Sequence, residues 1–161
     1  MPWIKAFSVL LLFISTIKCI PSMATSPVMG SSFSNYVVST VRVTWTEAFV
    51  LCKQSGMELV SIKTAEEHDA IAQALSHYST KKGVANGYWI SARRFTGNSI
   101  VWFNSGKPLI YTNFADGQPD NAGNDEECVE FFMPLEKSYK WNDINCGHKA
   151  GYICQVRNEC Y

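Results

Sequence analysis

The chain is poor in the groups that most enzymatic and nucleic-acid chemistry requires. It has three histidines, His68, His77 and His148, and Glu66-Glu67-His68-Asp69 lacks the second histidine of the H-E-x-x-H zinc-protease pattern. No G-x-S-x-G elbow and no phosphate-cradling glycine loop occurs. No C-x-x-C pair exists, and the spacings Cys146 to Cys154 and Cys154 to Cys160 are too wide for a zinc knuckle. The formal net charge is zero, with no basic run to hold nucleic acid and no acidic tail. No N-x-[ST] acceptor for N-glycosylation is present. Internal repeats and low-complexity segments are absent as well. Catalysis and nucleic-acid binding are therefore not expected.

What is present suits one exported domain. The 161 residues are 47% hydrophobic and 17% charged, enough to bury a core. Met1-Pro2-Trp3-Ile4-Lys5 is followed by a mostly apolar stretch from Ala6 to Ile17 and then by Ile20-Pro21-Ser22-Met23-Ala24. A basic start, a short apolar core and small residues near a cleavage point read as a signal peptide over residues 1–24, cut after Ala24 or after Cys19. That core is shorter than the roughly 20 residues a membrane-spanning helix needs, and no later segment is long and apolar enough, so a secreted protein is expected.

Export places the cysteines where bridges form and persist. The mature part holds Cys52, Cys128, Cys146, Cys154 and Cys160, with Cys19 in addition if cleavage comes earlier. Four can make two bridges. The remaining one is available for an interchain bond, for pairing with Cys19, or for capping by a small thiol.

Residues 25–35 form a small, polar lead-in. Tyr36 to Val43 is β-branched and predicts one strand or two short ones. Thr44 or Thr46 then caps a helix running to about Gln54, with Trp45, Ala48, Phe49 and Cys52 on one face and Gly56 ending it. Leu59-Val60-Ser61-Ile62 predicts a short strand. A second helix starts at Thr64, with Glu67 completing a capping box, an apolar stripe of Ala70, Ile71, Ala74 and Leu75, and Gly83 closing the region. Strands are expected at Tyr88-Trp89-Ile90, Ile100–Phe103, Cys128–Met133, Lys140–Asp143 and Gly151–Gln155. Helices in the first half and strands in the second give an α+β fold.

Between Phe103 and Glu130 lies a long stretch rich in Gly, Asn, Asp and Pro, of a length that is usually functional or disordered. It contains Gln118-Pro119-Asp120-Asn121-Ala122-Gly123-Asn124-Asp125-Glu126-Glu127-Cys128, and Asn142-Asp143 follows shortly before Cys146. Many hard oxygen donors without a nearby histidine suit calcium rather than zinc or copper. A merely solvated acidic loop has the same composition. The pinning cysteines favour a site, because a Cys128–Cys146 bridge would draw the two acidic groups together. The twelve-residue EF-hand spacing is absent.

In order, Cys52, Trp89-Ile90, Gln118-Pro119-Asp120, Cys128, Trp141-Asn142-Asp143, Cys146 and Cys154 resemble the C-type lectin domain over residues 36–155, leaving 156–161 as a tail carrying Cys160. The loop reads much like that of small secreted insect lectins. The resemblance implies two helices on short antiparallel sheets, bridges Cys52–Cys154 and Cys128–Cys146, and a cis peptide before Pro119. It also implies one principal calcium site made by Gln118, Asp120, Glu126, Asn142 and Asp143, where two neighbouring sugar hydroxyls meet the ion. Gln-Pro-Asp resembles the galactose-binding members, and Glu-Pro-Asn the mannose-binding ones. The expected activity is calcium-dependent binding of galactose-terminated glycans on cells or microbes, in agglutination or innate recognition, with Cys160 able to link a homodimer. The alternative is a lectin-like module for a protein, lipid or other non-sugar ligand, although such relatives commonly lose the calcium ligands that this chain keeps.

Three features depart from the pattern. Ala122 stands where galactose-type members often carry a sugar-stacking tryptophan. Arg93, Arg94 and Asn98 stand where the family's auxiliary calcium site draws carboxylates, so that second site is expected to be absent. Ser91-Ala92 replaces the usual Gly-Leu after the Trp-Ile element, a structural change. Trp45, Trp89, Trp102, Tyr111, Phe114, Phe131 and Trp141 are expected in the core rather than on a ligand.

Overall fold

The computed structural model describes residues 35–39, 41–76, 87–134 and 138–157. The expectations for the leader and its cleavage, for His77 and Gly83, and for Cys160 fall outside the described residues. Those described make helices first and strands afterwards, the expected α+β arrangement.

Thr44 caps helix α1 (Trp45–Gln54): its hydroxyl accepts the Glu47 amide at 3.3 Å, and Glu47 Oε2 accepts the Thr44 amide at 2.7 Å. Trp45, Ala48 and Cys52 fall on one face and are buried, with Phe49 partly so. Gly56, at φ 72°, turns the chain after the helix. Helix α2 (Ala65–Ser76) begins behind Thr64, whose hydroxyl accepts the Glu67 amide at 3.2 Å. The Glu67 carboxylate reaches back one residue further than expected, to the Lys63 amide at 2.6 Å. The expected stripe needs one correction. Ile71, Ala74 and Leu75 are buried but Ala70 is exposed, and His68 takes its place. A helix turns about 100° per residue, so His68 aligns with Ile71 and Leu75 while Ala70 does not.

The strands are β1 (Tyr36–Val38), β2 (Met57–Leu59), β3 (Gly87–Thr96), β4 (Ser99–Trp102), β5 (Lys107–Pro108), β6 (Cys128–Phe132), β7 (Lys140–Ile144) and β8 (Gly151–Val156). Strand β8 lies antiparallel to both β1 and β2, and its start runs parallel to β3 at Tyr88 and Trp89. Strand β3 also pairs with β4 and β6, and β6 with β7. The strand expected at Leu59–Ile62 ends at Leu59. Beyond it Val60 sits between two strands, donating to Ile153 O (2.9 Å) and accepting from Ser91 N (2.8 Å). Ser91 is fully buried, with its hydroxyl 2.7 Å from that of Ser61, which accounts for a polar residue after the Trp-Ile element.

Two apolar clusters fill the interior. Ile71 and Leu75 of α2 pack with Tyr88, Ile90, Phe131 and Trp141. Trp45, Ala48 and Cys52 of α1 pack with Leu59, Trp89 and Cys154. Both expected bridges are formed: Cys52–Cys154 spans 102 positions and Cys128–Cys146 spans 18. On loop-closure entropy they contribute roughly 5 and 3 kcal/mol.

Trp141 organises the long loop. Its buried indole meets Trp102, Tyr111 and Phe114 edge-on, at 5.7, 5.7 and 5.5 Å between centroids. Its backbone donates to Asn113 O and accepts from Ala115 N, both at 2.9 Å. The loop contains β5 and a single 3-10 turn at Ala122–Asn124, and is otherwise irregular.

A carboxylate cluster as candidate functional site

Residues 118–126 fold back over the end of β7. The Gln118–Pro119 bond is cis, and Asn121 and Gly123 adopt positive φ (49° and 66°), so the chain makes two sharp reversals here. Asx-type bonds fix the turn. The Ala122 amide donates to Asp120 Oδ1 (3.2 Å) and Glu126 Oε2 (3.0 Å), and the Glu126 amide donates to Asn121 Oδ1 (3.1 Å). Asp143, only 1% exposed, anchors the whole loop: its Oδ1 accepts from Asp120 N at 3.1 Å and its Oδ2 from Asn121 N at 3.0 Å.

As a result Asp120, Glu126 and Asp143, 23 positions apart at the extremes, bring carboxylate oxygens within 4.8 Å of one another. Gln118 Oε1 lies beside them, accepting from Asp120 N at 3.1 Å. Burial pushes Glu126 above the ordinary carboxylate range; the Ala122 amide opposes this, and Asp120 and Asp143 push it further up. Like charges packed this closely are offset in part by the Arg94 guanidinium, 2.7 Å from Asp143 Oδ2. The donors are hard oxygens throughout, the set calcium prefers.

Of the residues expected at the site, Gln118, Asp120, Glu126 and Asp143 come together, and Asn142 adjoins Asp143 with its amide nitrogen turned elsewhere. Its Nδ2 donates to Glu130 Oε1 at 3.3 Å. Successive strand residues face opposite sides, so Asn142 shares its side of β7 with Ile144, which packs on the second apolar cluster. Glu130 itself is 7% exposed, and burial holds its carboxyl above the usual range.

Arg94 is a component that motif reading did not assign. Its guanidinium bonds Asp143 Oδ2 at 2.7 Å, with the two side chains 10% and 1% exposed. It also donates to the carbonyls of Glu126 and Gly97, each at 3.2 Å. One side chain on β3 thus ties β7, the loop and the β3–β4 turn together. The sequence signal was its cationic type at a place where carboxylates are usual. Asn121, whose side chain closes the turn on Glu126, was likewise unassigned.

The fold, the paired bridges and this loop define a class. The chain matches the family model described as "Lectin C-type domain" over residues 41–156 and belongs to that family. Perlucin of Haliotis laevigata is 32% identical over 122 residues, covering 76% of each chain. "C-type lectin 37Da" of Drosophila melanogaster is 31% identical over 139 residues, covering 81% of this chain and 72% of its own. Human E-selectin is 35% identical over 123 residues, but the match spans only 19% of its length. Among solved structures, C-type lectin CEL-I from Cucumaria echinata (TM-score 0.65, 26% identity) and the mouse scavenger receptor C-type lectin carbohydrate-recognition domain (0.63, 26%) each cover 77% of this chain and 90% of theirs. A Ca2+-dependent type II antifreeze protein shares the fold at 20% identity, so the fold by itself does not choose the ligand.

Proposed function

We propose that this protein is a secreted, non-catalytic lectin that binds galactose-type sugars through a calcium ion held by Gln118, Asp120, Glu126 and Asp143. The observation that carries the reading is the convergence of three carboxylates on one loop-and-strand corner without histidine or cysteine. Bound there, calcium supplies a hard cation with coordination positions left open for two vicinal sugar hydroxyls. The protein's own groups complete each hydroxyl. Asp120 or Glu126 accepts its proton, and the Gln118 amide donates to its remaining lone pair. The acid and amide stand in the order Gln118-Pro119-Asp120, and this order selects the equatorial 3-hydroxyl and axial 4-hydroxyl of galactose over the mannose arrangement. Asn142 donates to Glu130 through Nδ2, which leaves its Oδ1 as the proposed fifth oxygen donor beside Asp143.

Two stable bridges fit an oxidising, extracellular location, and no helix among the described residues is long and apolar enough to cross a membrane. The segment 1–24 is the proposed leader. A single small sugar site binds weakly, so Cys160 is proposed to link two copies and raise avidity. Identical mobility on reducing and non-reducing gels would refute the covalent dimer.

The decisive assay is sugar competition on the refolded mature protein, with calcium and with EDTA. Galactose-selective, EDTA-sensitive binding is expected. Calcium-dependent preference for mannose would overturn the selectivity. Absence of binding under both conditions would favour a protein or lipid ligand.

A further inference from the structure

The stem of the long loop is tied to helix α2 through one side-chain amide. Asn113 is half-buried where the loop runs beside β7, and its carbonyl accepts the Trp141 amide at 2.9 Å. Two residues on, Ala115 donates to the Trp141 carbonyl and accepts from the Gln118 amide, each at 2.9 Å, so the stem leads straight into the carboxylate turn. The Asn113 side chain lies between Lys140 and His68. Lys140 Nζ, which can only donate, is 2.9 Å from Asn113 Oδ1. Nδ2 therefore faces the His68 ring, 2.9 Å from Nε2 and 3.5 Å from Nδ1. That ring is buried, with Nε2 also 3.1 Å from the Tyr139 carbonyl.

Counting donors and acceptors makes this contact depend on one proton. A neutral imidazole keeps one lone pair in either tautomer, and both nitrogens are within reach of Asn113 Nδ2. An imidazolium keeps none. It can donate to Tyr139, but it meets the Asn113 amide with N–H against N–H. Turning that amide over gives no relief, because Nδ2 would then face the Lys140 ammonium. We infer that His68 is a positioning residue for the loop, holding Asn113, and through it the stem that carries Gln118, only while its ring is neutral, so that calcium is held less tightly in mild acid. The inference rests on the lectin reading above and adds proton control from outside the carboxylate cluster. Burial above all keeps His68 below the ordinary histidine range; Lys140 on β7 lowers it further, and the Tyr139 carbonyl and exposed Asp69 on α2 oppose this. Tyr111 of the loop, 6.1 Å away between centroids, and Tyr139 are both raised by burial and stay uncharged, and Phe131 of β6 brings no charge.

Calcium alone is the probe. Calorimetric titration of the refolded mature protein from about pH 7.5 to about 5 gives the change in Kd for the wild type, His68→Gln and Lys140→Met. Glutamine offers Asn113 an acceptor that takes no proton. Lys140→Met leaves His68 free to titrate but lets the Asn113 amide turn over and give Oδ1 to the imidazolium. Protonation of Glu126 is common to all three proteins and cancels in the comparison. The acid loss of affinity should be about fivefold larger in the wild type than in either variant. A wild-type loss no larger than that of His68→Gln would overturn the positioning role, and a full loss in Lys140→Met would overturn its route through the Asn113 amide. In EDTA, nitrogen-15 NMR of the wild type should show the His68 ring and the Asn113 side-chain amide shifting together with one midpoint below about pH 6.5. An Asn113 amide indifferent to the His68 titration would overturn the inference and leave the calcium site standing. No calcium binding at the upper pH would overturn the lectin reading itself, and the control of it by His68.

Discussion

Replacing Arg94 with methionine should make calcium a condition of stability. In the wild type the Asp143 carboxylate is nearly inaccessible and faces the guanidinium at 2.7 Å. Removing one partner of such a buried pair costs about 3–5 kcal/mol, because a desolvated charge is left behind. Asp143 keeps the amide bonds from Asp120 and Asn121, which places this part of the loss near the lower end. Two further guanidinium bonds vanish, to the carbonyls of Glu126 and Gly97, at about 1 kcal/mol each. A total of about 5 kcal/mol is then expected in EDTA, a large share of the roughly 5–15 kcal/mol that holds a domain folded. With saturating calcium the loss should shrink by half or more, since the proposed ion would supply positive charge to the same carboxylate. Urea unfolding of Arg94→Met and wild type, each with calcium and with EDTA, reads both quantities. A deficit below about 1 kcal/mol in EDTA would refute the buried-pair argument. An equal deficit in both conditions would refute the link to calcium.

Two other outcomes follow from the structure. Glu47 Oε2 accepts from Lys149 Nζ and from the amide and hydroxyl of Thr44, and the Lys149 bond above all lowers its carboxyl to about 2. A depressed carboxyl contributes stability above its unfolded value and loses it as pH falls toward the folded one. Melting temperature should therefore drop between pH 4.5 and about 2 less steeply in Glu47→Gln than in wild type, and parallel curves would refute the assignment. Replacing Cys128 and Cys146 together by alanine should lower unfolding free energy by about 3 kcal/mol, and an unchanged urea midpoint would show that the paired β6 and β7 already hold this segment.

Much of this was readable in the chain because local chemistry and tertiary fold agree. The capping pairs at Thr44–Glu47 and Thr64–Glu67 mark both helix starts, and Trp45, Ala48 and Cys52 carry the helical period onto the core. What was lost needs contacts between distant residues. Ala70 looks like a stripe residue until His68 claims the face by bonding the Tyr139 carbonyl and lying against Phe131. Within Trp141-Asn142-Asp143 the Asp143 carboxylate takes the loop amides while the Asn142 amide nitrogen takes Glu130, a division set by the β6–β7 pairing rather than by the motif. Arg94 is 49 positions from Asp143, and no local pattern announces their bond.

The Cys52–Cys154 bridge has a mechanical consequence. Tyr36 pairs with Gln155 and Asn35 O accepts the Val156 amide, so the two ends of the domain leave side by side. A pull on both ends would unzip β1 from β8, then free Val43 from Ala150 and unwind α1 as far as Cys52, and would then meet the bridge. From there the load crosses sulfur to sulfur and leaves by the other end. Every residue between 53 and 153, the carboxylate cluster among them, then lies outside the covalent path of the force. A domain strung this way can be stretched between two attachments, and its carboxylate corner stays off the covalent line of tension for as long as the bridge stays oxidised.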